Sequence, residues 1–323
     1  MRLPGLSRSS QAFIIVMVAF GLLPILPLPA FFFNVLAITF MYAAMSDSWN
    51  VIGGYTGYMS LGSAGFFGVG AYTTALLLQG YGLSPILTAP VAGIFAVGLA
   101  LIIGIPTLRL RGSYFALATL TVTLLLGDLF VGLPEITGGG RGIMNLHIPN
   151  LTVGLEPQVF YMSFFTLMII TIVVAYAVEN SKFGLGLMAI REDEDAARMC
   201  AVNAPKLKNM AFMISAFFIG VAGGLFTPYL SYVNPSLAFN ILITISPVLM
   251  AIFGGKGSWM GPIIGAFILD IVRQYLSFLI LSELNTLVFG LMLIVVMILM
   301  PQGILGFLRG PRLARLRGSG KKG

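Results

Sequence analysis

The sequence predicts an all-α integral membrane protein with about ten transmembrane helices, eight at the fewest. Of its 323 residues, 58% are hydrophobic and only 9% are charged, whereas soluble domains carry about 25% charged residues. Many apolar stretches reach the roughly 20 residues that a helix needs to cross the hydrocarbon core. These stretches are continuous, whereas the strands of a membrane barrel would alternate. We therefore expect a single transmembrane domain over residues 1–323.

Ten apolar windows of about 19 residues mark the expected crossings. The first is interpreted as a span and not as a signal peptide, because another span follows it at once. The glycine-rich stretch 51–70 is compatible with a broken or re-entrant helix. The windows lie at 11–29, 31–50, 58–80, 85–105, 113–133, 159–178, 209–231, 236–253, 258–281 and 284–300.

The basic residues predict the orientation of these spans. With a cytoplasmic N-terminus, sixteen of the eighteen Lys and Arg residues fall on the inner side, as the positive-inside rule requires. Both termini, the loop 179–208 and the basic tail 309–323 are then cytoplasmic, and the loop 134–158 is external. We interpret the tail as a topology anchor near anionic membrane lipid and not as a nucleic-acid site.

The sequence offers little material for catalysis or for binding a cofactor. Cys200 is the only cysteine and His147 the only histidine, so a disulfide is impossible and ligands for a metal are scarce. A P-loop would need Ser or Thr after the lysine, but Gly257 follows Lys256. We expect no catalytic, metal-binding or cofactor-binding residue, so that the energy for any transport comes from a partner or a gradient.

The cytoplasmic loop carries the densest charge of the chain. Its stretch 186–203 predicts one short helix that Pro205 ends. On such a helix Arg191 would pair with Asp195, and Glu194 with Arg198, both at i,i+4 spacing. The residues leave two interpretations open, a solvated connecting helix or a docking helix for a cytoplasmic partner, and composition alone favours the first.

Five segments carry a family resemblance. The stretch 189–198 resembles the cytoplasmic loop of branched-chain amino acid permeases of the LivM type, which are membrane subunits of bacterial ABC importers. Four more segments resemble motifs of the same family in the expected order, and together they cover about residues 40–305. They are Ser48–Gly62, Leu108–Thr119, Thr137–Gly142, and Phe253–Ser258 with Gly261 and Pro262.

The resemblance implies the fold and the partners of an ABC importer permease. It implies a pathway for branched-chain amino acids that works by alternating access in the bacterial inner membrane. The implied partners are a homologous LivH-like permease subunit, two ATPases that hold ATP and Mg²⁺, and a periplasmic or lipid-anchored binding protein. Permeases for urea and short amides share much of the pattern and remain an alternative.

The resemblance also implies roles for two groups of residues. The cytoplasmic loop would form a coupling helix that sits on an ATPase, although Ala201 stands where the family usually has glycine. The external loop would face the binding protein. The coupling residues are Arg191, Glu192, Asp193, Asp195, Ala196, Ala197 and Arg198, and those of the external loop are Gly138, Gly139, Gly140 and Arg141.

The glycine-rich stretch is the candidate for the substrate path. Helix breaks in transporters expose backbone groups that can bind substrate. Tight helix packing is the alternative, because Gly53 and Gly57, like Ala64 and Gly68, have small-xxx-small spacing. The candidate path residues are Asn50, Gly53, Gly54, Tyr55, Thr56, Gly57 and Ser60.

The ionisable residues within the spans bear on whether a proton or ion gradient could drive transport. Asp270 and Arg273 stand at i,i+3 and are expected to pair structurally. Asp47, Glu135 and Glu283 are expected near the ends of spans, which disfavours a proton relay. Asp128 alone keeps open a proton- or ion-coupled secondary transporter. A membrane enzyme would need a polar cluster that the sequence does not show, and a scaffold would show no substrate-dependent activity.

Overall fold

The long apolar stretches fold as helices, because a backbone in lipid must satisfy its own hydrogen bonds. The computed structural model describes residues 16–144, 146, 156–279, 290 and 303–305. Two short strands, β1 (Ile143–Met144) and β2 (Tyr232–Val233), form an antiparallel pair. The helices are α1 (Val16–Ile25), α2 (Ala30–Gly53), α3 (Ser63–Tyr81), α4 (Pro85–Thr107), α5 (Ser113–Val131), α6 (Pro134–Thr137), α7 (Glu156–Glu179), α8 (Lys182–Glu192), α9 (Glu194–Met199), α10 (Ala204–Leu230), α11 (Pro235–Ala238), α12 (Ile241–Gly254) and α13 (Gly261–Leu279).

Within the described residues, six helical stretches are long and apolar enough to cross a membrane. They are α2, α4, α5, α7, α10, and α11 with α12. This confirms a polytopic all-α membrane protein, whereas the number ten is not tested. The predicted span 236–253 is among these six stretches, although the chain is not helical at Phe239 and Asn240, between α11 and α12. Only part of the window 11–29 is described, as α1, and the window 284–300 lies outside the described residues except for Gly290.

Helix α10 is the central helix of the described bundle. It packs against α2, α3 and α4, whereas α2 also packs against α7, α12 and α13. Glycines allow the closest approach: a Cβ on Gly70 would lie 2.0 Å from the carbonyl oxygen of Gly220, and one on Gly223 would lie 2.1 Å from that of Phe67. In lipid, this close packing of backbones is a main source of helix association.

Aromatic rings fill the space on the other side of α2. The ring of Phe40 lies 5.1 Å from Tyr161, 5.2 Å from Phe165 and 5.8 Å from Phe267, measured between centroids. These edge-on and tilted contacts join α2 to α7 and α13. The N-terminal and late parts of the chain therefore share one core.

The bundle has two distinct ends. Helix α10 has 27 residues, about 40 Å of helix, and it starts directly after α9. Its other end leads into β2, where Val233 pairs with Ile143. The cytoplasmic and external loops of the prediction thus lie at opposite ends, which we call the charged end (α8 and α9) and the hairpin end (β1 and β2).

The glycine-rich stretch breaks the helical chain as predicted. Helix α2 ends at Gly53 and α3 begins at Ser63, so residues 54–62 form a non-helical connection. The small-xxx-small interpretation is wrong for Gly53 and Gly57, since Gly57 lies outside the helix with φ +76°. At Gly68 the space that a Cβ would occupy is filled by a side chain and not by a helix backbone, since the Cβ would lie 2.4 Å from the ring of Phe239.

The ionisable residues of the spans divide into three cases. The expected pair is confirmed, because the guanidinium of Arg273 lies 2.6 Å from the carboxylate of Asp270. Asp128 is exposed on α5. The expected position of Asp47 is wrong: it is fully buried within α2, and neither carboxylate oxygen has a hydrogen-bond partner among the described residues. Glu283 lies outside the described residues.

Candidate functional site

The charged end contains two helices where the sequence predicted one over 186–203. The chain breaks at Asp193, whose backbone is extended (φ −158°, ψ 115°). Its carboxylate accepts hydrogen bonds from the amides of Asp195 (2.9 Å) and Ala196 (3.0 Å), so Asp193 caps a new helix. Pro205 does not end a helix but stands in the first turn of α10.

This break changes the predicted ion pairs. The Arg191–Asp195 pair is wrong, because Asp193 turns the chain between the two residues. Asp195 instead receives two hydrogen bonds from the guanidinium of Arg111, of 2.7 and 2.9 Å, and this contact lowers the pKa of Asp195. The predicted Glu194–Arg198 pair is confirmed at 2.6 Å.

Glu194 is the centre of a buried ionic cluster. Its carboxylate accepts hydrogen bonds from the hydroxyl of Tyr58, from the ammonium of Lys208 (2.9 Å) and from Arg198. Lys208 also donates to the carbonyl oxygen of Leu108 at 3.0 Å. The cluster therefore ties α9 to the glycine-rich connection, to α10 and to the end of α4.

Arg191 connects α8 to two glycine-rich segments. Its Nη1 donates to the carbonyl oxygen of Gly54 at 3.0 Å. A Cβ on Gly257 would lie 2.5 Å from the same nitrogen, and one on Gly57 would lie 3.2 Å from the Cγ of Arg191. Gly257 also has φ +81°, so the site favours glycine both by conformation and by space.

Asn50 joins the same two segments from within the core. Its amide accepts from the backbone N–H of Gly257 at 2.8 Å and donates to the carbonyl oxygen of Ser258 at 3.0 Å. Asn50 is fully buried, and losing such a partner in an apolar region costs about 1–3 kcal/mol for each unpaired group. The early and late glycine motifs, 207 residues apart, thus form one structural unit.

Glu179, at the end of α7, adds a second link of this kind. Its carboxylate accepts from the hydroxyl of Tyr55 at 3.1 Å and from the backbone N–H of Trp259 at 2.8 Å. On the other side, the indole of Trp49 donates to the carbonyl oxygen of Ser60 at 2.8 Å. The connection 54–62 is therefore held by α2, α7, α8 and the α12–α13 turn.

The structure gathers the candidate path residues at the charged end. Six of them are buried: Asn50, Gly53, Gly54, Tyr55, Thr56 and Ser60. A cavity of about 590 Å³ lies elsewhere, between α4, α7 and α10, with a mainly apolar lining and none of these residues. A role in the substrate path stays a prediction, whereas their contacts with α8 are direct.

The coupling residues differ in their contacts with the rest of the bundle. Arg191, Asp195 and Arg198 make the contacts above, and Ala197 is buried. Three others, Glu192, Asp193 and Ala196, are exposed at the surface of the charged end.

Two apolar residues on the surface of the charged end were not predicted from the sequence. Leu185 is 65% exposed and Met199 is 90% exposed. The signal in the sequence was the amphipathic spacing of α8, which buries Leu187 and Ile190 and leaves Leu185 outside.

The described part of the predicted external loop lies at the hairpin end. Gly138, Gly139 and Gly142 all have positive φ, and a Cβ on Gly138 would lie 2.2 Å from the carbonyl oxygen of Gly142. This tight turn leaves Gly140 and Arg141 exposed. His147 lies outside the described residues.

Comparison with known proteins identifies relatives over most of the chain. A family model described as a branched-chain amino acid transport system permease component matches residues 31–297. The high-affinity branched-chain amino acid transport system permease protein LivM of Escherichia coli is 31% identical over 314 residues, covering 89% of this chain and 73% of the relative.

More distant relatives share part of the chain. The high-affinity branched-chain amino acid transport system permease protein LivH of E. coli is 28% identical, covering 57% of this chain and 58% of the relative. The ribose import permease protein RbsC of Haemophilus influenzae is 26% identical, covering 66% of this chain and 67% of the relative. No solved structure matches the chain.

Proposed function

We propose, since this chain belongs to the family of branched-chain amino acid transport permease components, that it forms part of the pathway by which leucine, isoleucine and valine enter the cell. The chain is a multi-pass permease subunit of the ABC importer type. The substrate follows from the names of its relatives, because nothing in the described cavities selects one amino acid.

The partners proposed here follow from the same membership. A LivH-like permease subunit would complete the pathway, because LivH and LivM are permease proteins of one high-affinity transport system in E. coli. Two ATPases would bind and hydrolyse ATP with Mg²⁺, and an external binding protein would deliver the substrate. On this proposal the chain itself catalyses no reaction.

The proposed location is the bacterial inner membrane, with the charged end and both termini in the cytoplasm. The distribution of Lys and Arg supports this orientation. The ATPases would then meet α8 and α9, and the binding protein would meet the hairpin end with Gly138, Gly139, Gly140 and Arg141.

The observation that carries the coupling mechanism is the contact of Arg191 with Gly54 and Gly257. Helix α8 lies at the surface, whereas the two glycine segments lie at the ends of α2 and α12. A partner that moves α8 would therefore move two core helices through a single side chain. This is a physical route from ATP binding to alternating access.

Within this mechanism the predicted coupling residues take two roles. Glu192, Asp193 and Ala196, with Leu185 and Met199, would contact the ATPase. Arg191, Asp195, Ala197 and Arg198 would hold the docked segment against the bundle. The connection 54–62 would then move as a hinge at the substrate path.

The test is transport by the assembled complex in proteoliposomes. Arg191→Ala removes the contact with Gly54, whereas Lys182→Ala removes a cation from the same helix that has no ion-pair partner among the described residues. We expect Arg191→Ala to lower leucine uptake at least tenfold and to abolish the stimulation of ATP hydrolysis by substrate. Lys182→Ala should transport normally.

Three results would contradict the proposal. Normal uptake by Arg191→Ala would remove the coupling role of this residue. Uptake driven by an ion gradient without the ATPases would indicate a secondary transporter. Uptake of urea or acetamide with no uptake of leucine would overturn the substrate.

A further inference from the structure

A basic groove of about 650 Å³ opens at the charged end, between the end of α4 and the start of α10. Five cationic side chains line it, whereas its neighbours Glu194 and Asp195 supply two negative charges. The cations are Arg109, Arg111, Arg198, Lys206 and Lys208.

Two of these cations are free to bind a ligand. Arg111, Arg198 and Lys208 are engaged by the two acids. The charged side chains of Arg109 and Lys206 are exposed, and neither makes a hydrogen bond or an ion pair with a described residue. The N-terminus of the 27-residue helix α10 adds its positive end beside Lys206, so the groove attracts an anion.

The groove also carries an unpaired neutral polar group. Asn209 lies in its wall, and the buried Oδ1 of this amide has no hydrogen-bond partner among the described residues. The wall of the groove therefore combines this amide with the five cationic side chains.

One wall of the groove is apolar. Ile105 lines the groove and is 58% exposed, and Ile102, one turn away on α4, is 74% exposed. Met210 on α10 is also exposed. The groove thus passes directly from a cationic pocket to surface of the kind that acyl chains cover.

We propose that this groove binds the headgroup of an anionic phospholipid, with the phosphate at Arg109 and Lys206 and the acyl chains along α4 and α10. Only a lipid combines an anionic head with a tail for the apolar wall, and basic pockets between membrane helices hold such headgroups in other proteins. The bound lipid would brace α10 beside Lys208 and Glu194. The proposal does not depend on the substrate or on the coupling role of Arg191.

The test is lipid binding to the purified full-length chain by native mass spectrometry. Phosphatidylglycerol is titrated against phosphatidylcholine in neutral detergent. The variant Arg109→Gln/Lys206→Gln is compared with Lys182→Gln/Lys256→Gln, which removes two exposed charges from the same end outside the groove. We expect the groove variant to bind the first phosphatidylglycerol about tenfold more weakly, and the control variant to bind it as the wild type does.

Several outcomes would overturn the proposal. Equal loss in both double variants would show diffuse charge attraction, and no loss in either would show that the groove is not used. Displacement of the lipid by inorganic phosphate would indicate a phosphate site. If the groove variant kept its lipid but lost binding of the ATPase, the groove would be a protein interface.

Discussion

Glu194 shows how one side chain can fix a surface segment to a membrane bundle. Its carboxylate is buried, which alone would raise its pKa, but hydrogen bonds from Tyr58 and Lys208 and the charges of Lys208 and Arg198 lower it overall. The negative form is therefore the form that the fold requires. Breaking one partner of such a cluster leaves another buried charge unpaired, which is why these clusters are sensitive to substitution.

The first prediction concerns the pH dependence of this cluster. Because the folded pKa of Glu194 is lowered, its stabilising effect is present above the usual pKa of glutamate and is lost as the pH falls through the lowered value. We expect α9 to detach from the bundle in that acidic range. An environment-sensitive fluorophore on Cys200, which is exposed directly after α9, would report the change.

Two variants separate Glu194 from its neighbour in this experiment. Glu194→Gln should abolish the acidic transition of the fluorophore. Asp195→Asn should keep it, although the pKa of Asp195 is also lowered by its contact with Arg111. A transition that persists in Glu194→Gln would show that another group controls the position of α9.

Two breaks in the helical chain lie at the charged end, one after α2 and one at Asp193. The sequence indicated only the first of them. Glycines between 53 and 70 indicated the break after α2, because glycine disfavours helix. The break at Asp193 was not predicted, since charge pairs at i,i+4 favoured a continuous helix. The side chain of Asp193 competes with that helix by capping the next one, and local pairing patterns do not show which alternative prevails.

Contacts between residues that are far apart in the sequence could not be predicted from the sequence either. The apolar windows were enough to place most described helices. The family resemblance implied that Arg191 contacts an ATPase, but its bond to Gly54 joins residues 137 positions apart. No spacing rule relates such positions, so the link between the loop and the glycine-rich connection became visible only in the fold.

The second prediction concerns the crossing of α3 and α10. Gly70→Ala would place a Cβ 2.0 Å from the backbone oxygen of Gly220, so the helices must separate, at a cost of about 1–3 kcal/mol. Gly98→Ala on α4 is the matched control, because no atom lies within 4 Å of its added Cβ. Thermal unfolding of the purified chain should occur at a lower temperature for Gly70→Ala only, and equal unfolding temperatures would contradict the close crossing.

Across the whole molecule, α2 and α13 are joined along their length. At the charged end Asn50 bonds to Ser258. Further along the bundle, Asp270 accepts a hydrogen bond from Thr39 at 2.8 Å, and Gln274 donates to the carbonyl oxygen of Val35 at 3.1 Å. The early and late parts of the chain therefore form one unit. On the proposed coupling route, motion of α8 would reach this unit at its glycine-rich end, where the helices are already interrupted.

The last prediction concerns the orientation of that unit in the membrane, on which the entire coupling route depends. Cys200 is the only cysteine of the chain and is exposed at the charged end. In cells that express the chain without ATPases, a membrane-impermeant maleimide should label Cys200 only after permeabilisation. In a Cys200→Ser background, Gly140→Cys at the hairpin end should be labelled in intact cells, because an added side chain there meets no atom within 4 Å. Cys200→Ser alone gives the background signal.

Labelling of Cys200 from outside intact cells would place α8 and α9 away from any source of ATP, and Arg191 could then transmit no motion from an ATPase.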